Sequence, residues 1–196
     1  MKNVRRYLSS LFLVTLAFGC YGSQPAEVNT DTEVAAAKAA IKNLAGALQA
    51  ELKNAMQTGG PVAAIAVCNT QAMPVTAKVA ADHGMNLSRV SLRNRNPDNA
   101  SNDWQSAVLE DFERQKSAGK DVTTLAWSET ASVEGGQEFR FMKAIPTGTV
   151  CLKCHGTTLA PGVGDVLAEL YPEDRATGFS EGDIRGAFVA IRTLQH

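Results

Sequence analysis

Apolar side chains recur at three- and four-residue steps in the first third of the chain, the spacing of an amphipathic helix. On this basis we predict one long helix over residues 31–57. Asp31 or Thr32 can cap its start, and the pair Gly59-Gly60 ends it, because glycine weakens a helix interior. Lysines and glutamate occupy the other faces, so the segment is too polar to span a membrane.

A second helical pattern follows the two glycines. Pro61 suits a first helical turn, where its missing N–H costs no hydrogen bond. One face carries small and apolar residues, and we expect Cys68 to point inward among them. Pro74 predicts a restart of the helix, and Gly84 predicts its end just after His83.

The middle of the chain alternates between short elements and turn formers. Residues 87–92 are predicted to form a short strand, and residues 93–100 a loop rich in turn formers. Ser101 or Asn102 then caps a helix with an apolar face, which ends near Gly119.

The hydrophobic period changes from residue 122 onward. Two strands are predicted over 122–134 and 137–145, around a two-glycine hairpin turn. Residues 159–183 are rich in glycine and proline and are predicted to form a long loop, and residues 187–194 a final strand. Helices first and antiparallel strands later indicate an α+β domain.

Residues 1–20 have the pattern of an export signal. Positive side chains precede an apolar run at residues 7–18, which is shorter than the roughly 20 residues of a membrane-spanning helix. The segment 16–20 resembles a bacterial lipobox, which predicts lipidation of Cys20. The alternative is ordinary secretion with cleavage nearby. Either way we expect a periplasmic protein, with residues 21–30 as a flexible tether.

Composition and charge indicate one acidic domain. The formal net charge of −1 becomes −4 once the three positive side chains of the export signal are removed, which argues against a nucleic-acid partner. Residues 31–196 can bury one substantial core, without an internal repeat or a second domain. Aromatic residues make up only 6% of the chain, so a buried porphyrin would add apolar bulk. Membrane contact is expected only through the N-terminal lipid.

Cys151-Leu152-Lys153-Cys154-His155 is a C-x-x-C-H motif, which is typical of c-type haem attachment. The two cysteines lie on one side of a helical turn, so both sulfurs can reach one porphyrin edge, and the histidine offers a nitrogen to the iron. A structural zinc site would need a second ligand pair, and a thioredoxin-like redox pair normally belongs to a βαβ unit. The sequence has neither, so we predict one covalent haem c.

The iron needs a second axial ligand or an open position. Haem attachment uses two of the other cysteines, and the export signal contains Cys20, so only Cys68 remains. An unpaired thiol is a liability in an oxidising compartment. Cys68 is either a small buried hydrophobic residue or, as a thiolate, a ligand of the iron. Met142 is the best methionine, and the residues alone leave Cys68 and Met142 both open. The other candidates are Met56, Met73, Met85, His83 and His196.

Several local motifs together resemble one protein family. They are A-V-C-N at 66–69, S-L-R-N-R-N-P-D-N-A at 91–100 with D-W at 103–104, C-L-K-C-H-G at 151–156, Y-P-E-D-R-A-T-G at 171–178 and G-D-I-R-G at 182–186. The family comprises exported bacterial monohaem c-type proteins with a PAS-like domain and mixed His/Cys axial ligation. The resemblance extends over residues 33–194.

This resemblance implies a fold and a ligand set. The fold is a PAS-like antiparallel sheet with N-terminal helices, packed around one covalent haem. By position, Cys151 and Cys154 are the thioether residues, His155 is the proximal ligand and Cys68 is the distal ligand. The kinase or cyclase domain that accompanies this domain in some membrane signalling proteins is not present in this sequence.

Two charged clusters are candidates for supporting roles. Arg89, Arg93 and Arg95 are candidate partners of the haem propionates, because arginine binds carboxylates in a planar, two-bond geometry, and the alternative is a solvated loop. A second cluster is expected to fix the glycine-rich loop through local ion pairs and caps. It consists of Glu173, Asp174, Asp183 and Arg185.

Three functions are compatible with these residues. The first is one-electron redox chemistry or redox sensing, with a potential below that of a His/Met cytochrome because a thiolate favours ferric iron. The second is a sensor of CO or NO in which Cys68 leaves the iron on reduction. A peroxidase-type enzyme ranks last, because it needs an open distal site and an acid–base residue. The partner is accordingly a redox protein or a small diatomic ligand.

Overall fold

The computed structural model describes residues 30–194. The predicted export signal, Cys20, the tether up to residue 29 and His196 lie outside the described residues. Between residues 30 and 194, no helix is long and apolar enough to cross a membrane.

The first element is the helix α1, Thr30–His83, which is kinked at Gly60 with φ 70° and ψ −163°. The predicted break after Gly59 and the new start at Pro61 are therefore confirmed, since only glycine adopts this backbone conformation without strain. The predicted caps are wrong, because the helix already begins at Thr30 and its first turn includes the residues predicted to precede it.

The predicted restart at Pro74 is also wrong, because α1 continues through this residue. Proline removes one backbone hydrogen bond from a helix, but packing can hold the turn in place. Ala72, Thr76 and Val79 are buried around it. The end after His83 agrees with the prediction, and Gly84 has the positive φ of 57° that favours glycine there.

Four antiparallel strands form one sheet in the order β1-β4-β3-β2. They are β1 (Asn86–Val90), β2 (Ala126–Val133), β3 (Gly136–Pro146) and β4 (Ile184–Leu194). The hairpin between β2 and β3 turns at Gly135, where φ is 88°. Gly186 allows β1 and β4 to approach, because a Cβ there would lie 2.3 Å from the carbonyl oxygen of Val90. The predicted α+β class is confirmed.

Helix α2, Asp103–Ser117, begins as predicted at Asn102, which forms a capping box with Gln105. A four-residue helix, α3, is formed by Leu152–His155. Helix α4, Val163–Leu170, lies inside the segment predicted to be loop, so that prediction is wrong. Val163 and Leu167 are four residues apart and buried, a short apolar stripe that the surrounding glycines and prolines obscured.

The sheet has a different helix on each face. Met142 and Ala144 of β3 belong to the core shared with α2. Phe139 and Phe141 alternate with them and pack against α1. The C-x-x-C-H segment follows the end of β3 at Pro146 after a short connection.

Candidate functional site

A cavity of about 520 Å³ lies between α1 and the facing side of the sheet. This volume falls in the range of small-molecule and cofactor sites. Aliphatic residues of α1 and Phe188 of β4 provide much of its wall. The residues predicted for the site that line it are Cys68, Arg89, Arg95, Cys151, Cys154 and His155.

The C-x-x-C-H residues lie on a compact helical turn. A 3₁₀ turn, Thr149–Cys151, leads directly into α3, so both cysteines project from one side of the same coil. Gly156 ends it, and its N–H donates to the carbonyl oxygen of Leu152 at 2.9 Å. A Cβ at Gly156 would lie 2.6 Å from that oxygen, so the tight end of the turn requires glycine.

His155 is held by a hydrogen bond of 2.6 Å from its Nδ1 to the carbonyl oxygen of Ala176. Burial, reinforced by Arg185 and Arg95, lowers the pKa of the imidazole to about 3, although this hydrogen bond acts in the opposite direction. The ring is therefore neutral at pH 7, and with Nδ1 donating, Nε2 carries the lone pair that can bind a metal.

The low pKa of His155 also has a consequence for stability. Between the ordinary value of 6.5 and about 3, the unfolded chain binds a proton at this histidine that the folded chain does not bind. Folding stability from this group is therefore present above pH 6.5 and declines as the pH falls below it.

Phe179 packs against His155, a contact that no motif in the sequence indicated. Its ring meets the imidazole edge-to-face, with centroids 6.3 Å apart. Its backbone N–H donates to the carbonyl oxygen of His155 at 2.9 Å. The guanidinium groups of Arg93 and Arg185 lie 4.1 Å and 5.3 Å from the ring centroid, a cation–π arrangement.

Cys68 lies on the predicted face of α1, beside Ala64 and Ile65, but this face borders the cavity and Cys68 is not buried in the apolar core. The residue is exposed, and the surface that it exposes lines the cavity. Neighbouring atoms still shield it from much of the solvent, and this burial raises the pKa of its thiol, whereas Arg89 and Arg95 oppose the rise. Ala64 and Ile65 on the same helix provide the buried contacts instead.

The three arginines predicted to act together have different environments. Arg89 and Arg95 line the cavity, and Arg95 donates to the carbonyl oxygen of Cys154 at 2.6 Å and pairs with Asp174 at 3.1 Å. Arg93 is not among the cavity-lining residues, so the structure does not place it with the other two. Its guanidinium is held over Phe179 and donates to the carbonyl oxygen of Thr177.

Arg185 belongs to the cavity, although the sequence predicted only a loop-fixing role for it. Its Nη1 donates to Ser91 Oγ and to the carbonyl oxygen of Arg93, each at 3.2 Å. The neighbouring carboxylates act as predicted: Asp174 accepts the N–H of Ala176 at 2.8 Å, and Asp183 accepts that of Ser180 at 2.7 Å. Glu173, the fourth member of the predicted cluster, is exposed.

The structure does not bring Met142 to the cavity, so this alternative ligand is wrong. The side chain is fully buried between the sheet and α2, on the opposite face of the sheet. Met85 is buried in the core beneath α1, and His83 bonds Asn43 at 2.8 Å. Of the methionine candidates, Met56 and Met73 line the cavity.

The donor set of the cavity fits a covalently attached iron porphyrin. Two thiols and an imidazole lie on one turn, a third thiol lies on α1, and the intervening wall is largely aliphatic. Imidazole and thiolate are established axial ligands of haem iron. Within residues 30–194, no group of three or more His, Cys, Asp or Glu side chains is arranged to hold a bare metal ion.

Comparisons with known proteins agree with this architecture. A family model described as Tll0287-like matches residues 23–192. The crystal structure of the cyanobacterial heme-protein Tll0287 is similar, with a TM-score of 0.60 and 25% sequence identity over 84% of this chain and 98% of that chain. No curated protein matches the chain.

The ion pair between Arg95 and Asp174 is expected to stabilise the site strongly, because only 11% and 9% of the two side chains are exposed. Asp174→Ala leaves a buried guanidinium without its partner, which typically costs about 3–5 kcal/mol. The free energy of unfolding from urea denaturation measures this loss. Asp82→Ala is the matched control, since its pair with Lys78 is exposed and is worth about 0.5 kcal/mol or less. Equal losses in the two variants would contradict the expectation.

Proposed function

The chain belongs to the Tll0287-like family, and we propose that it binds one haem, attached as haem c through Cys151 and Cys154. The observation that carries this proposal is the turn that presents both thiols and a neutral imidazole to one cavity. The likeness to a structure described as a heme-protein supports it. Such a haem supplies a one-electron Fe(III)/Fe(II) couple.

We propose His155 as the proximal axial ligand and Cys68 as the distal one. His155 reaches the cavity from α3 and Cys68 from α1, so the two side chains belong to different walls. The hydrogen bond to Ala176 leaves Nε2 of the histidine available for the iron. Arg89 and Arg95 favour the anionic form of the Cys68 sulfur, which is the form that binds a metal.

The function that this site supports best is one-electron redox chemistry or redox sensing. A thiolate ligand favours ferric iron, so the midpoint potential is expected to be lower than that of a His/Met site. We propose no enzymatic activity. The proposed partner is a protein that exchanges electrons with the site.

The second candidate is a sensor of a diatomic gas. Two properties of Cys68 favour it: the residue is exposed to the cavity, and burial raises the pKa of its thiol. Both make protonation and release of the sulfur easier than for a thiolate held by several hydrogen bonds. Released sulfur would leave room in the cavity for a ligand such as CO or NO.

We also propose a periplasmic location, because the residues 1–20 have an export pattern and c-type haem is attached outside the cytoplasm. Protein isolated from its native host should begin at or near Cys20, and labelled palmitate should be incorporated if the lipobox is used. N-terminal sequencing and mass spectrometry measure both. An intact Met1 would contradict export, whereas an unlipidated start beyond Cys20 would contradict only the lipid anchor.

Covalent attachment is tested by denaturing electrophoresis followed by haem staining. The wild type should retain its haem, and a variant with Cys151→Ala and Cys154→Ala should lose it, because no thioether can form. Cys68→Ala is the matched control, since it removes a thiol of the same cavity without removing an attachment point. Complete extraction of haem from the wild type by acid–acetone would show that the attachment is not covalent.

Axial ligation by Cys68 is tested by absorption and electron spin resonance spectra of the ferric protein. The wild type should be low-spin with a thiolate signature. Cys68→Ala should keep the haem, lose that signature, raise the midpoint potential and admit cyanide or CO.

Met73→Leu is the control for the ligand test, because Met73 lines the same cavity and its side chain is largely exposed. Its ferric spectrum should match that of the wild type. An unchanged spectrum in Cys68→Ala, or an altered one in Met73→Leu, would mean that Cys68 is not the distal ligand.

A further inference from the structure

The wall of the cavity carries more positive than negative charge. Arg89, Arg95 and Arg185 all line it, and Arg95 is compensated by its ion pair with Asp174. Arg89 and Arg185 form no ion pair with any carboxylate among residues 30–194. A cation removed from water without a counter-charge is costly, so this wall is suited to an anionic ligand.

One nitrogen of the Arg185 guanidinium is hydrogen-bonded, and the other two have no hydrogen-bond partner among the described residues. Its Nη1 is occupied by Ser91 Oγ and the carbonyl oxygen of Arg93, whereas Nη2 has no acceptor among the described residues. Its Nε is buried and also lacks a partner. Burial, together with the neighbouring Arg95 and Arg89, lowers the pKa of this guanidinium to about 10, and Asp174 offsets the effect only in part.

Arg89 lies on the cavity side of β1, two residues after the buried Leu87 of the same face. Its side chain makes no hydrogen bond to another described residue that would hold it away from the cavity. Burial lowers the pKa of its guanidinium, with Cys68 and Tyr171 opposing the effect. Arg185 bonds Ser91, which lies only two residues after Arg89, and both arginines line the same cavity.

We propose that Arg89 and Arg185 bind the two carboxylates of the ligand in this cavity, which are the haem propionates if the proposed function holds. Two uncompensated guanidinium groups match two carboxylates in charge, and arginine offers each carboxylate a planar pair of donors. Arg95 is already paired with Asp174, and Arg93 does not line the cavity, so neither provides this charge. The pair would orient the porphyrin and keep both propionates ionised.

Other charged or titratable groups also line the cavity, and a cation among them is the alternative partner of a propionate. They are Lys42, Glu51, Cys68, Lys143, Cys151, Cys154, His155 and Tyr171. Lys143 is already bonded to the carbonyl oxygens of Thr123 and Leu125, so Lys42 is the competing cation for a propionate.

The test uses the holoprotein, after haem staining has shown that covalent haem is present. The midpoint potential is measured as a function of pH in Arg89→Gln, Arg185→Gln and the double variant, together with the propionate bending bands in resonance Raman spectra. Loss of an arginine partner raises the pKa of a carboxylate by about one to three units. The pH-dependent step of the potential should therefore move up by that amount, and the bands should shift.

Four further variants make the result specific, among them Lys42→Gln, which removes the competing cation. Arg89→Lys and Arg185→Lys keep the charge and lose the planar donor pair, so they should give a smaller shift than glutamine and also serve if a glutamine variant does not fold. Arg175→Gln is the control, because this exposed arginine does not line the cavity.

The outcomes separate this inference from the function on which it rests. Covalent haem with unshifted curves and bands in both arginine variants, or a shift in Lys42→Gln alone, would overturn the arginine pair and leave haem binding intact. A wild type without covalent haem would overturn both.

Discussion

The hydrogen bond from His155 to the carbonyl oxygen of Ala176 is the interaction on which the site depends. An imidazole can present a defined nitrogen only if its other nitrogen has a fixed partner. To bring Ala176 within 2.6 Å, the loop after α4 must fold back over the C-x-x-C-H turn. Phe179 holds it there through a backbone bond to His155, and the buried ion pair of Arg95 with Asp174 closes the same loop from the other side.

The cations around this hydrogen bond have two opposing effects. They reinforce the effect of burial, which lowers the pKa of His155 and keeps the imidazole neutral, but they also leave positive charge buried in the cavity wall. The charge of Arg95 is compensated by its ion pair with Asp174. Arg89 and Arg185 form no ion pair with a carboxylate in the described part of the chain. A thiolate at Cys68 would offset part of this charge, since Arg89 and Arg95 both act against the rise in the thiol's pKa. The ionisation of the Cys68 sulfur and the positive charge of the cavity wall therefore depend on each other.

Local signals in the sequence predicted the elements well, and the long-range contacts poorly. The kink at Gly60 and the cap at Asn102 follow from properties of a few neighbouring residues, and both are confirmed. The position of Arg93 outside the cavity could not be predicted locally, because its partner, Thr177, is 84 residues away in the chain. The contact of Phe179 with His155 and the cavity position of Arg185 were missed for the same reason, since each side chain acts on a residue of another segment. The residues that the family motifs mark as the site, Cys68, Cys151, Cys154 and His155, line one cavity, although they come from distant segments of the chain.

The relative position of Cys68 and His155 is set by packing rather than by either motif. Cys68 lies on the part of α1 that follows the kink, and Ile65, one turn before it, packs in a cluster with α4 and Tyr171. Tyr171 follows α4 directly and begins the loop that holds His155. The short helix α4 therefore connects the two walls of the cavity mechanically. Any shift of α4 would change the separation of the two proposed iron ligands while leaving the C-x-x-C-H turn intact.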